Sequence, residues 1–131
     1  MLNSVSPFFI VDDLQRSLDF YCLKLGFEIA YTGGGDGPHN NFWGIVRRDH
    51  AMLMLKRVSP DIHPQPNHTR HEWARWDAYI NVSDPDLLYR EVVGRGASIH
   101  RDLADTGDGL RAFEIIDNSG YVLCFGRPNR A

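Results

Sequence analysis

The stretch Val11-Asp12-Asp13-Leu14 through Leu25-Gly26-Phe27-Glu28-Ile29 recurs, in chemistry rather than in letters, as Val82-Ser83-Asp84-Pro85 through Arg95-Gly96-Ala97-Ser98-Ile99. In the first copy Leu14, Leu18, Tyr21 and Leu25 follow the spacing of one helical face. Asp13 or Asp12 stands where a side chain accepts the free N–H groups of a first turn, and Gly26 stands where a helix ends. In the second copy Asp84 is the natural cap, and Pro85 suits the first helical position because its missing N–H had no partner there. Leu88, Tyr89 and Val92 supply the apolar face before Gly94 and Gly96.

Working outward, each helix lies between extended segments. Val5 to Val11 and Phe27 to Thr32 flank the first; Ala78 to Val82 and Ala97 to Arg101 flank the second. Two hairpin strands follow in each half. Phe42 to Arg47 and Ala51 to Lys56 enclose Arg48-Asp49-His50, while Arg111 to Ile116 and Tyr121 to Gly126 enclose Asp117-Asn118-Ser119-Gly120. The order βαβββ is therefore read out twice, an α+β pattern of two modules in one domain spanning 1–131. Module one covers about 1–57, a linker about 58–75, and module two about 76–131. Gly33 to Pro38 and Asp105 to Gly109 are turn-rich loops at matching places. The linker carries Pro60, Pro64 and Pro66 with His63, His68 and His71, and a short helical turn is expected within it.

Composition limits the function classes. Hydrophobic residues are 43% of the 131 and charged residues 24%, the balance of a folded domain rather than a disordered or fibrous chain. Fourteen Lys and Arg against 17 Asp and Glu leave a formal charge of −3, with no basic field to attract a phosphate backbone, so nucleic acid is excluded as the expected partner. No apolar run is long enough to span a membrane, and residues 1–11 lack the layout of a secretion signal, so the expected location is cytoplasmic. Cys22 and Cys124 lie far apart inside expected elements, where free cysteine behaves as a small hydrophobe.

These residues resemble the vicinal oxygen chelate superfamily, which groups glyoxalases, bleomycin-resistance proteins and extradiol dioxygenases. The resemblance rests on Val11-Asp12-Asp13-Leu14-Gln15-Arg16-Ser17-Leu18-Asp19-Phe20-Tyr21, on Leu25-Gly26-Phe27 and on Asp117-Asn118-Ser119-Gly120-Tyr121-Val122-Leu123. It implies that the two βαβββ modules form a curved mixed sheet around a cavity. Metal-dependent relatives carry His or Glu at one inward position on the first and last strand of each module. Here those positions fall on Ser6, Met54, Asp77 and Cys124, a donor set suited to no common catalytic cation. A register shift of two brings in Phe8, Met52 and Tyr79 and does not restore one. Neither a metal nor another cofactor is expected. His63, His68, His71 and Glu72 do not have the zinc-protease spacing and read as a solvated loop.

Within the superfamily the chain is most similar to the metal-free bleomycin-resistance subgroup, through Phe42-Trp43-Gly44-Ile45-Val46-Arg47-Arg48-Asp49, Asp77-Ala78-Tyr79-Ile80-Asn81-Val82 and Leu110-Arg111-Ala112-Phe113-Glu114. That likeness implies a homodimer that sequesters a small aromatic or amphipathic compound such as an antibiotic or toxin. Pro7 fits either exchange of the first strand between subunits or a plain edge strand. The chain departs from bleomycin binders in its mild charge and in having Gly107-Asp108-Gly109-Leu110 where they carry a tryptophan. The expected ligand-binding residues are Phe42, Trp43, Met54, Asp77, Tyr79, Arg111, Phe113 and Cys124. Strand alternation places Phe113 inward together with Tyr79 and Cys124, and Asp77 is the carboxylate expected to select a cationic group. The alternative reading is a metal-dependent lyase, isomerase or dioxygenase of the same superfamily.

Overall fold

A computed structural model describes residues 1–35 and 41–130. The chain divides into two compact units, Met1–Gln65 and Pro66–Ala131. Their element orders match, and each unit contains one four-stranded mixed sheet and its own helix.

The first unit runs β1 (Phe8–Ile10), α1 (Leu14–Asp19), β2 (Glu28–Gly33), β3 (Trp43–Arg48) and β4 (Ala51–Lys56). Its strands lie in the order β1-β4-β3-β2, with β1 parallel to β4 and the other pairings antiparallel. Asp13 caps α1 by accepting the Arg16 N–H at 3.1 Å, and Leu14, Leu18, Tyr21 and Leu25 are all buried. Gly44 is bare where Leu14 and Leu18 cross the sheet: a Cβ there would meet both leucines at 3.2–3.3 Å. Leu53 and Leu55 lie on this helix-covered face, and Met52, Met54 and Lys56 take the other.

The second unit runs β5 (Ala78–Asn81), α2 (Pro85–Gly94), β6 (Ile99–Asp105), β7 (Leu110–Ile116) and β8 (Val122–Pro128), in the order β5-β8-β7-β6. Asp84 caps α2 through the Leu87 N–H at 3.1 Å. Under the helix Phe113 stacks on Phe125 at 5.3 Å and meets Tyr89 edge-on at 5.2 Å, beside buried Ile115, Leu123 and Val92. The β7–β8 turn is tied by Asp117, whose carboxylate accepts the N–H groups of Ser119 and Tyr121 at 2.8 and 2.9 Å.

Several elements differ from expectation. The first helix is not α-helical to Leu25: after Asp19 it continues as a π-helical turn, Phe20–Lys24. Strand β6 begins and ends later than Ala97 to Arg101, and its register with β7 is irregular. The stretch expected as a linker contains the short helical turn expected there, Asn67–Thr69. His63 reaches back to Asp12 at 2.9 Å in the first unit, whereas Asn67–Thr69, a short 3-10 turn, hydrogen-bonds to Asp77 in the second. Of the loop Gly33 to Pro38, Asp36, Gly37 and Pro38 lie outside the described residues.

Candidate functional site

In each unit the helix covers one face of the sheet, and the site-forming side chains come from the other. Register fixes which they are. In the second unit Tyr79 pairs with Cys124 and Cys124 with Glu114, so these three share the open face. Beside them is a cavity of about 470 Å³. Arg75 and Trp76 wall it from the segment before β5, Arg101, Asp102 and the run Ala104 to Asp108 from β6 and its turn, Ala112 and Glu114 from β7, and Cys124 from β8.

Glu114 is the organising charge of this cavity. Its side chain is only 4% exposed and receives Arg75 Nη2 at 2.7 Å, Trp76 Nε1 at 2.9 Å and His100 Nδ1 at 3.0 Å, with Arg101 Nε at 3.7 Å. Burial pushes the carboxyl up, but hydrogen bonds from His100, Trp76 and Arg75 and the Arg75 charge outweigh it and hold it below its ordinary value. Arg75 also lies over the Trp76 ring at 5.6 Å, and its buried Nε has no hydrogen-bond partner among the described residues. Burial, followed by the charge of Glu114, pushes the Cys124 thiol up to about 12, so on its own it stays protonated at neutral pH and is a poor nucleophile.

In the first unit the open face carries a smaller cleft of about 300 Å³, lined by Phe8, Tyr31, Gly34, Phe42, Trp43 and Lys56. Phe8 and Trp43 are tilted against each other at 5.5 Å, and the Lys56 ammonium lies 5.8 Å from the Phe42 ring centre.

The expected site residues separate accordingly. Phe42 and Trp43 come together in the first cleft, with Met54 on the same face as the register partner of Phe8. Tyr79 and Cys124 share the open face of the second unit, where the Tyr79 ring lies 5.5 Å from Trp76. Phe113 is a correction: it borders the cavity, but its register partner is Phe125, and its ring packs under α2 on the opposite face from Cys124. Asp77 is not an open carboxylate, because its two oxygens accept the Asn67 and Val122 N–H groups at 2.9 and 2.8 Å. Arg111 lines neither cavity; it grips Asp86 with two hydrogen bonds of 3.0 and 2.9 Å and reaches Asp105 at 3.4 Å.

Sequence reasoning missed Glu114, Arg75, His100 and Lys56. Glu114 left a signal: closing the hairpin with Ile116 opposite Val122 forces residue 114 opposite 124. Arg75 and His100 left none, since their approach to Glu114 depends on chain segments 14 to 39 residues away.

The metal positions implied by the resemblance can be judged from the same register. The register partner of Met54 is Phe8 rather than Ser6, and that of Cys124 is Tyr79 rather than Asp77, whose oxygens accept main-chain hydrogens, so the shared positions present a thioether, a phenyl ring, a thiol and a phenol. That set does not fit a catalytic divalent ion. Among the described residues, no three His, Cys, Asp or Glu side chains are grouped so as to hold a metal.

The model of the glyoxalase/bleomycin resistance protein/dioxygenase superfamily matches residues 2–125. No curated protein matches the chain. Among solved structures, a glyoxalase-related enzyme from Clostridium phytofermentans superposes with a TM-score of 0.75 at 15% identity, covering 98% of this chain and 96% of its own. TnmS3, an antibiotic binding protein from Streptomyces sp. CB03234, gives 0.66 at 21% identity, covering 98% of each chain. The bleomycin-binding protein of Streptomyces verticillus, complexed with copper(II)-bleomycin, gives 0.65 at 21% identity, covering 95% of each. At these identities the likeness concerns the fold.

Proposed function

The chain belongs to the glyoxalase/bleomycin resistance protein/dioxygenase superfamily, and from that membership we propose that it is a metal-free protein binding a small aromatic or amphipathic molecule stoichiometrically, without turnover. One observation carries the reading. The cavity of the second unit is large enough for a small organic ligand, yet each buried reactive group in its wall is already neutralised: Glu114 by its three donors, Cys124 by its proton. Trp76, Ala112 and Cys124 offer apolar contact, while Asp102, Asp105 and Asp108 ring the side formed by β6 and its turn. Sequestration of an antibiotic or toxin is the biological role this implies, and it accords with relatives of the same fold that bind antibiotics. The reading includes a homodimer, for which sedimentation velocity is the check.

The test is a titration of purified protein with a panel of aromatic and amphipathic compounds, followed by tryptophan fluorescence, with each compound assayed afterwards by mass spectrometry. Saturable quenching at one ligand per chain, weakened in Trp76→Ala, indifferent to EDTA and with the compound recovered intact, is expected. Conversion of any compound that depends on added Fe, Mn, Ni or Zn overturns the proposal in favour of a metal-dependent enzyme.

A further inference from the structure

The aromatic cleft of the first unit has a chemistry of its own, independent of the cavity around Glu114. Its walls are rings. Tyr31 lies over Gly33 so closely that a Cβ on that glycine would collide with the phenol, and a Cβ on Gly34 would sit 2.7 Å from the Phe42 ring. The two glycines therefore give the rings a backbone to lie on, and Phe8 and Trp43 complete the wall. Phe8 and Tyr31 are about half exposed, unusual for large rings on a sheet unless something else covers them.

Among the described residues Lys56 is the single charged member of the lining. Its ammonium stands over the edge of the aromatic wall, and among the described residues no carboxylate pairs with it. A cation with no paired carboxylate among the described residues, set beside tilted rings, favours a ligand that is flat and negatively charged: the rings meet its faces, and the ammonium meets its anion. A cationic ligand would be repelled, and a neutral one would take water from the ammonium without replacing it. The volume, near the lower limit of about 300 Å³ for small-molecule sites, suits one or two fused rings. We propose that this cleft binds a planar aromatic carboxylate, stacked among Phe8, Phe42 and Trp43 with its carboxylate on Lys56.

The test uses the full chain, 2-naphthoate and its uncharged analogue 2-naphthamide, with calorimetric titration. Naphthoate is expected to bind about tenfold more tightly, the size of one charge-assisted hydrogen bond in a half-buried site. Lys56→Met, which keeps the aliphatic stem, should erase that preference while holding naphthamide affinity within about twofold, with circular dichroism confirming the fold. Trp43→Ala should weaken both ligands, and Glu114→Gln should leave the preference intact, which separates this site from the cavity of the second unit. Equal affinity for the two compounds overturns the proposal, as does a preference that survives Lys56→Met or is lost in Glu114→Gln. Failure of naphthoate to bind overturns it, and a dimer that Phe8→Asp dissociates would then assign the face to a second copy of the chain.

Discussion

Each oxygen of the Asp77 carboxylate accepts one main-chain hydrogen, from Asn67 and from Val122, so this residue fastens the entry to β5 onto the start of β8. Removing it leaves two N–H groups without their acceptor, one of them on buried Val122. Asp77→Ala should lower stability by about 2 kcal/mol, read as a shifted urea midpoint at neutral pH, and should leave ligand affinity per folded chain unchanged. Alternation correctly placed Tyr79 and Cys124 on one face but put Phe113 with them, because Arg111 to Ile116 is nearly all buried and gives no polar beat to set the parity. The pairing of Glu114 with Cys124 decides it.

At the scale of elements, the glycines after β2 connect local backbone to the cleft. Gly34 has φ +91, a conformation that costs a residue with a side chain about 1 kcal/mol or more, and Phe42 occupies the space a Cβ would need. Gly34→Ala should therefore destabilise the chain by that amount and weaken naphthoate and naphthamide to the same degree, as calorimetry would show, since it displaces a ring and not a charge. The capped starts of both helices were legible, because Asp13 and Asp84 act on N–H groups three residues away. The π-helical turn at Phe20–Lys24 was not: Leu14, Leu18, Tyr21 and Leu25 face the core in either helix form, so the periodicity carries no sign of it. Strand β4 was expected and found at Ala51 to Lys56, bounded by a tight turn, whereas β6 drifted because its irregular pairing with β7 is set by the partner strand.

Across the whole molecule, acid stability is tied to the Glu114 cluster. Its folded-state carboxyl is held below the ordinary value, so its contribution is present above the unfolded pKa and is lost as pH falls through the folded one. Glu114→Gln should cost about 3 kcal/mol at pH 7, where Arg75 loses its buried counter-charge, and the gap to the parent chain should close as the pH falls below the carboxylate range. Urea unfolding from pH 7 down to pH 3 checks both parts, and a gap that stays constant would remove Glu114 as the titrating group. By itself the sequence determined the repeated βαβββ order, the α+β class, both helix caps and the hairpins, because these follow from side-chain spacing and from contacts only a few residues apart. Tertiary structure alone decided which carboxylates are consumed by main-chain N–H groups or buried donors, and which charge remains open. Asp77, Glu114 and Lys56 look equally available in the chain, and only folding brings Val122 to the first and Arg75 and His100 to the second, leaving Lys56 beside rings.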